Sequence, residues 1–124
     1  MRITRIYTGD DNRTHFEELE IRLDEHERGR KTPLLDVRGI DFRETPMADD
    51  WGLHNASNRQ FVITLRGIAE VEVGDGTKRR FAPGDVFFAE DLTGEGHVTR
   101  HIEGDRCSVV IPVDPDFDLD ALRV

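Results

Sequence analysis

Four side chains in this chain could hold a metal ion if the fold brought them together: His54, Gln60, His97 and His101. Neutral imidazoles and an amide carbonyl are donors for a divalent transition metal such as zinc, nickel, manganese or iron. The set has no formal negative charge, so it makes a less selective site than two histidines with a carboxylate. An iron centre for oxygen activation needs such a carboxylate, and only Glu90 or Asp91 is placed to supply one. The alternative is that His54 and His97 are hydrogen-bonded interior histidines with no metal.

Glu90 and Asp91 end an apolar run, Val86-Phe87-Phe88-Ala89. A carboxylate beside aromatic rings can have a raised pKa and exchange protons near neutrality. Glu90 and His97 are therefore the candidate acid/base groups, set against the reading of Glu90 and Asp91 as solvated strand-end charges. Trp51, Asp91 and Arg43 are the candidate contacts for a small ligand. For Trp51 the reading as core cover is favoured over that as a pocket wall, and Arg100 is a weaker ligand candidate. Arg59 should point away from Gln60 and make a surface or dimer salt bridge. The single cysteine, Cys107, lies in the run Cys107-Ser108-Val109-Val110-Ile111 and reads as a small buried side chain. No Ser-His-Asp arrangement can be placed.

The elements that must position these residues are strands. Alternation of period two dominates, and no helix of ordinary length is evident. Residues 2–7 read as a short edge strand, 15–23 as a second strand, and 24–31 as a loop or one polar helical turn. A strand is centred on residues 37–42. Gln60, Val62 and Thr64 share one face of the strand 59–65, opposite Phe61, Ile63 and Leu65. Gly67 should end that strand, and another follows over 68–73. Asp75-Gly76 signals a type I′ hairpin turn, which needs positive φ at both positions. Pro83-Gly84 turns the chain before a strand at 85–90. Residues 97–102 and 106–113 read as a hairpin around Gly104-Asp105, with His97, Thr99 and His101 on one face. The acidic tail from Asp114 should pack loosely as a turn or short helix. Eight to ten short strands with regular turn signals predict a sandwich or jelly roll. Strands with apolar residues on both faces need outer cover, from a partner subunit in a homodimer or from the N-terminal strands.

The chain has 124 residues, room for one domain and one core. Acidic residues outnumber basic ones, 26 to 17, for a net charge of -9. That surface repels nucleic-acid phosphates and anionic lipid, and Lys78-Arg79-Arg80 is better read as a solvated strand than as a nucleic-acid patch. Neither a signal peptide nor a membrane span is legible, so a cytoplasmic protein with a small-molecule ligand is expected.

Two blocks extend this reading. Gln60 stands seven places before Gly67, and Gly84 opens a segment that leads to His97. A single hairpin fills the gap between Gly67 and Gly84. This layout resembles the cupin superfamily, whose first motif has His-x-His, Glu and Gly, and whose second has Gly, Pro-x-Gly, His and Asn. Here His54 stands alone for the histidine pair, Gln60 replaces the Glu, Glu90 replaces the Pro, and His101 falls at the Asn. The resemblance covers residues 50–113, with the strands of residues 1–44 flanking the barrel. It implies an all-β, cupin-type jelly-roll barrel, in the manner of small bacterial single-domain cupins. It also implies a barrel site at His54, Gln60, His97 and His101 acting on a small metabolite by isomerase, lyase or oxygenase chemistry. The alternative is a metal-free barrel that binds or senses a small ligand without turnover.

Overall fold

The computed structural model describes residues 1–48 and 51–124, and of Trp51 only the backbone. The period-two pattern becomes ten strands among the described residues. They are β1 (Arg2–Thr8), β2 (Thr14–Glu20), β3 (Asp24–His26), β4 (Gly29–Lys31), β5 (Asp41–Thr45), β6 (Trp51–His54), β7 (Gln60–Glu72), β8 (Lys78–Phe81), β9 (Val86–Glu90) and β10 (His97–Pro112). One turn of 3-10 helix, Asp120–Leu122, follows. Eight strands form one sheet in the order β2-β1-β9-β7-β10-β5, with β8 added to β7 and β6 to β10. β1 runs parallel to β9, while the other neighbours are antiparallel.

Two long strands roll this sheet. The first part of β7 pairs with β9, through Gln60↔Ala89 to Ile63↔Val86, and its last part pairs with β8, through Ala69↔Phe81 to Glu72↔Lys78. The start of β10 meets β6 at His97↔His54, and its far part meets β5 from Arg106↔Thr45 to Val110↔Asp41. β7 and β10 stay paired in both regions. The sheet thus has two limbs. Val71, Val73 and Phe81 from one pack in a single buried cluster with Ile6, Val62, Phe87, Ala89 and Val110 from the other. The limbs face each other over a shared interior, in the all-β jelly-roll arrangement expected.

Gly67 does not end its strand; it bends it. Two steps along β7, from Arg66 to Ile68, lie opposite four steps along β10, from Glu103 to Cys107. The extra residues form a bulge, which raises local twist and lets a strand bend without leaving the ladder. Gly67 sits there at φ +82°, and a Cβ on it would lie 2.6 Å from the Asp105 carbonyl oxygen. The hairpin expected around Gly104-Asp105 is therefore this bulge, and β10 runs straight through it. The turn at Asp75-Gly76 is also of a different type. Gly76 N–H donates to the Val73 carbonyl, and positive φ occurs at Gly76 without Asp75.

Other expectations need correction at their edges. β1 is interior to the sheet, because β9 takes its second side. Residues 24–31 form an exposed two-strand hairpin instead of a loop or helical turn. The strand centred on 37–42 begins later, at Asp41. Cys107 is half-buried.

The acidic tail packs more firmly than its composition suggests. Leu119 and Leu122 join Ile3, Leu19, Ile21, Phe88 and Val113 in a second buried cluster on the outer side of the sheet. Phe117 meets Phe61 edge-on, with ring centroids 5.8 Å apart. The guanidinium of Arg59 donates to the carbonyls of Pro115 and Phe117, both at 2.8 Å. The tail and the N-terminal strands thus supply the outer cover over β9. Gly67→Ala should cost at least about 2 kcal/mol, from positive φ and the blocked approach to Asp105. Urea denaturation measures this, and a loss below about 0.5 kcal/mol would contradict the bend as described.

Candidate functional site

The interior between the limbs holds a cavity of about 270 Å³. Alternation along the strands decides what faces it. Gln60 and Val62 reach it from β7, Phe87 and Ala89 from β9, and His97, Thr99 and His101 from β10. Beyond the bulge, Arg106, Ser108 and Val110 line it again, beside Arg43 and Thr45 of β5, while His54 enters from β6. Among the described residues, none of the lining side chains is acidic. That contrasts with a chain of net charge -9.

His54 and His97 are brought together as expected. Their residues are register partners, and the ring centroids lie 4.4 Å apart at 59°. The approach depends on Gly96, at φ +78°, where a Cβ would fall 2.3 Å from the His54 carbonyl oxygen. Asn55 holds the preceding loop by donating to the carbonyls of Thr93 and Gly94.

Each ring is oriented through Nδ1. His97 Nδ1 lies 2.5 Å from Asp91 Oδ2, and His54 Nδ1 lies 2.7 Å from the Gly52 carbonyl oxygen. A carbonyl can only accept, so His54 carries its proton on Nδ1. A carboxylate favours the same tautomer in His97. Nε2 is then the donor atom each neutral ring offers a ligand, an arrangement typical of metal-binding histidines. Gln60 lines the same cavity and is buried, and no hydrogen bond reaches its Oε1 among the described residues. A buried amide oxygen without a donor is costly, and a cation would satisfy it. As donor types, the two imidazoles and this oxygen suit a divalent transition metal.

His101 lines the cavity without completing a cluster. Among the described residues, no three His, Cys, Asp or Glu side chains converge closely enough to hold an ion.

Asp91 does a different job from the ligand contact expected of it. It is fully buried and does not line the cavity. Its Oδ2 accepts from His97 and, at 3.0 Å, from the hydroxyl of Thr14, itself fully buried. Glu90 is moved off the site altogether, because strand alternation turns it with Phe88 away from Phe87 and Ala89. There it bonds Arg5 Nε at 2.5 Å and Arg59 Nε at 3.0 Å. Burial pulls the Arg5 guanidinium down, but Glu90 and Glu17 outweigh this and hold it above its ordinary value. Two guanidiniums neutralise Glu90, so the acid/base role expected of it does not fit. Neither acid can then complete a two-histidine, one-carboxylate triad in the cavity. Arg59 makes the salt bridge expected of it within the chain.

Arg43 lines the cavity and also pairs with Asp41, Nε to Oδ1 at 2.6 Å. This bond holds the Asp41 carboxyl below the usual carboxylate range. The side chain of Trp51 lies outside the described residues. Arg100 bonds Glu72 instead of the cavity. Arg79 and Arg80 are paired with Glu18 and Glu70.

Sequence reasoning missed Arg106. It faces the cavity, with its guanidinium carbon 5.9 Å from the centre of the Phe87 ring. Burial, and then the nearby charge of Arg43, pull it below its ordinary pKa. A hairpin at Gly104-Asp105 would have ended the alternation from His97. Only the bulge returns Arg106 to the same side.

No family model matches this sequence, and no curated protein matches it. Among solved structures, the chain is similar to protein NMB1881 from Neisseria meningitidis, with 19% identity over 64% of this chain and 79% of that one, at a TM-score of 0.48. It is also similar to a Salmonella typhimurium protein described as a "putative ethanolamine utilization protein q", with 14% identity over 91% of this chain and 95% of that one, at a TM-score of 0.45. Among the described residues, no helix is long and apolar enough to cross a membrane.

Long-range proton–nitrogen NMR above the imidazole titration range should show Nδ1–H tautomers for both His54 and His97. Asp91→Ala should release His97 into a tautomer mixture and leave His54 unchanged. Thr14→Val should cost about 1–3 kcal/mol, since it strips a donor from a fully buried carboxylate. A neutral Thr14→Val variant with both rings still ordered would argue against the Asp91 network.

Proposed function

We propose that this chain is a small cupin-type protein that binds a divalent transition metal through His54, His97 and Gln60 and acts on a small metabolite in the cavity. One observation supports this reading above others: two adjacent imidazoles, each tied through Nδ1, share a cavity with a buried amide oxygen that lacks a donor among the described residues. Zinc, nickel, manganese or iron would suit these donors. Such a metal supplies Lewis acidity, polarising a carbonyl or hydroxyl oxygen of the substrate. The protein's own part is to hold the rings and keep the site partly dry. Asp91 fixes the ring of His97, while Phe87, Val62 and Val110 wall the cavity. The neutral donor set favours isomerase or lyase chemistry over oxygen activation.

A second reading takes the cavity as metal-free, with the barrel binding or sensing a small ligand. The buried Asp91–His97 pair supports it, because that pair can also hold a proton at Nε2 against a ligand oxygen. The chain is further proposed to act in the cytoplasm, and as a homodimer through the exposed apolar side chains near β5, Ile40 and Phe42.

Elemental analysis of protein purified without an affinity tag should find about one metal per chain. His97→Ala should lose it while staying folded, and Gln60→Leu should weaken it. Folded protein that contains no metal, and takes up none of zinc, nickel, manganese or iron, would move the assignment to the metal-free reading.

A further inference from the structure

The half-buried Arg106, which shares the cavity with the imidazoles, has no role in the metal reading. Arg106 Nε is buried, and no hydrogen bond reaches it among the described residues. A desolvated guanidinium is costly unless an acceptor meets it, and native interiors pair such charges almost without exception. The neighbourhood raises the cost further. Burial and then the charge of Arg43, the second guanidinium of the cavity, hold Arg106 below its ordinary pKa. Arg43 has its own acid in Asp41, so Arg106 is the cation with an unmet need.

The strand geometry makes this a built feature. Arg106 and Thr45 are register partners, as are Ser108 and Arg43, so two cations and two hydroxyls alternate across one small patch of the cavity wall. An anion fits that patch. The Nε side of a guanidinium presents two parallel donors, the geometry that suits a carboxylate. The cavity, about 270 Å³, is at the small end of ligand pockets, which run roughly 300–1,000 Å³. Val62, Phe87 and Val110 give it an apolar wall for a short carbon body.

We infer that the ligand of this cavity is a small organic carboxylate, docked by its carboxylate on Arg106 with Arg43 in support, and lying in the space that His54 and His97 share. The inference deepens the proposed function and rests on that reading only in taking this cavity as the ligand site; it does not need the metal.

The test is calorimetric titration of the full chain, both chelator-treated and loaded with zinc. The probes are lactate and benzoate, their neutral counterparts lactamide and benzamide, and inorganic phosphate. At least one carboxylate should bind about tenfold or more tightly than its amide, in the chelated protein as well as the loaded one. Arg106→Met should erase that preference. It should keep or raise the melting temperature, since it removes a half-buried charge that has no partner among the described residues; a purely structural arginine would lower it. Should Arg106→Met fail to fold, the surface-reaching Arg43→Gln should still weaken carboxylate binding by about two- to fivefold. Equal binding of acid and amide, carboxylate binding untouched in both variants, saturation by phosphate alone, or no saturable binding of either carboxylate would each overturn the inference. Zinc bound with no carboxylate preference sinks this inference alone. A carboxylate preference in protein that binds no metal sinks the metal reading alone.

Discussion

The structure depends on β7 and β10 staying paired while both bend. Each is long enough to belong to two limbs, and their shared ladder leaves them no freedom to bend separately. The bulge in β10 supplies the extra backbone, and the bare backbone of Gly67 lets the Asp105 carbonyl approach. A straight ladder here would spread the same strands into an open sheet. Val71, Val73 and Phe81 would then lose Val62, Phe87 and Val110 as packing partners, and there would be no interior to hold a ligand. Burial of this cluster is the driving force, and the bend is the geometric condition for it.

The same bend distributes charge. Acidic side chains outnumber basic ones overall, yet three histidines and two arginines line the cavity and the described acids stay outside the lining. Glu90 and Asp91 are adjacent in sequence but serve opposite sides of the wall. Glu90 is matched by two guanidiniums on the outer side, where it helps hold the C-terminal tail through Arg59. Asp91 is buried behind His97, where a charge-assisted hydrogen bond orients a ring that faces the cavity. Pairing explains why both acids can be buried or nearly so. It also explains why Arg106, whose buried Nε lacks such a match among the described residues, points to an incoming anion.

Much of the architecture was legible in short patterns. The alternation of Gln60, Val62 and Thr64 against Phe61, Ile63 and Leu65 matches their burial, and so does that of Ala69, Val71 and Val73 against Glu70 and Glu72. The Pro83-Gly84 turn stands where expected, with Asp85 N–H donating to the Ala82 carbonyl. His54 and His97 were legible as candidate partners on the condition that their strands line one interior, and the ladder between β6 and β10 supplies it. Arg106 and the role of Asp91 were not. A period-two argument holds phase only while the ladder is regular, and across the bulge the inward set passes from the odd positions His97, Thr99 and His101 to the even positions Arg106, Ser108 and Val110.

The sequence by itself determined the period of its elements, the positions of its turns and which side chains could act as donors, because these follow from local sterics and alternation. Tertiary structure decided whether Gly67 and Gly104-Asp105 would reverse the chain or bend it. It also decided which of Glu90 and Asp91 would stand behind His97, and that Arg106 would share a cavity with the imidazoles. Those outcomes depend on backbone approaches and burial between residues far apart in the chain, such as Gly67 with Asp105 and Thr14 with Asp91, which no local pattern encodes.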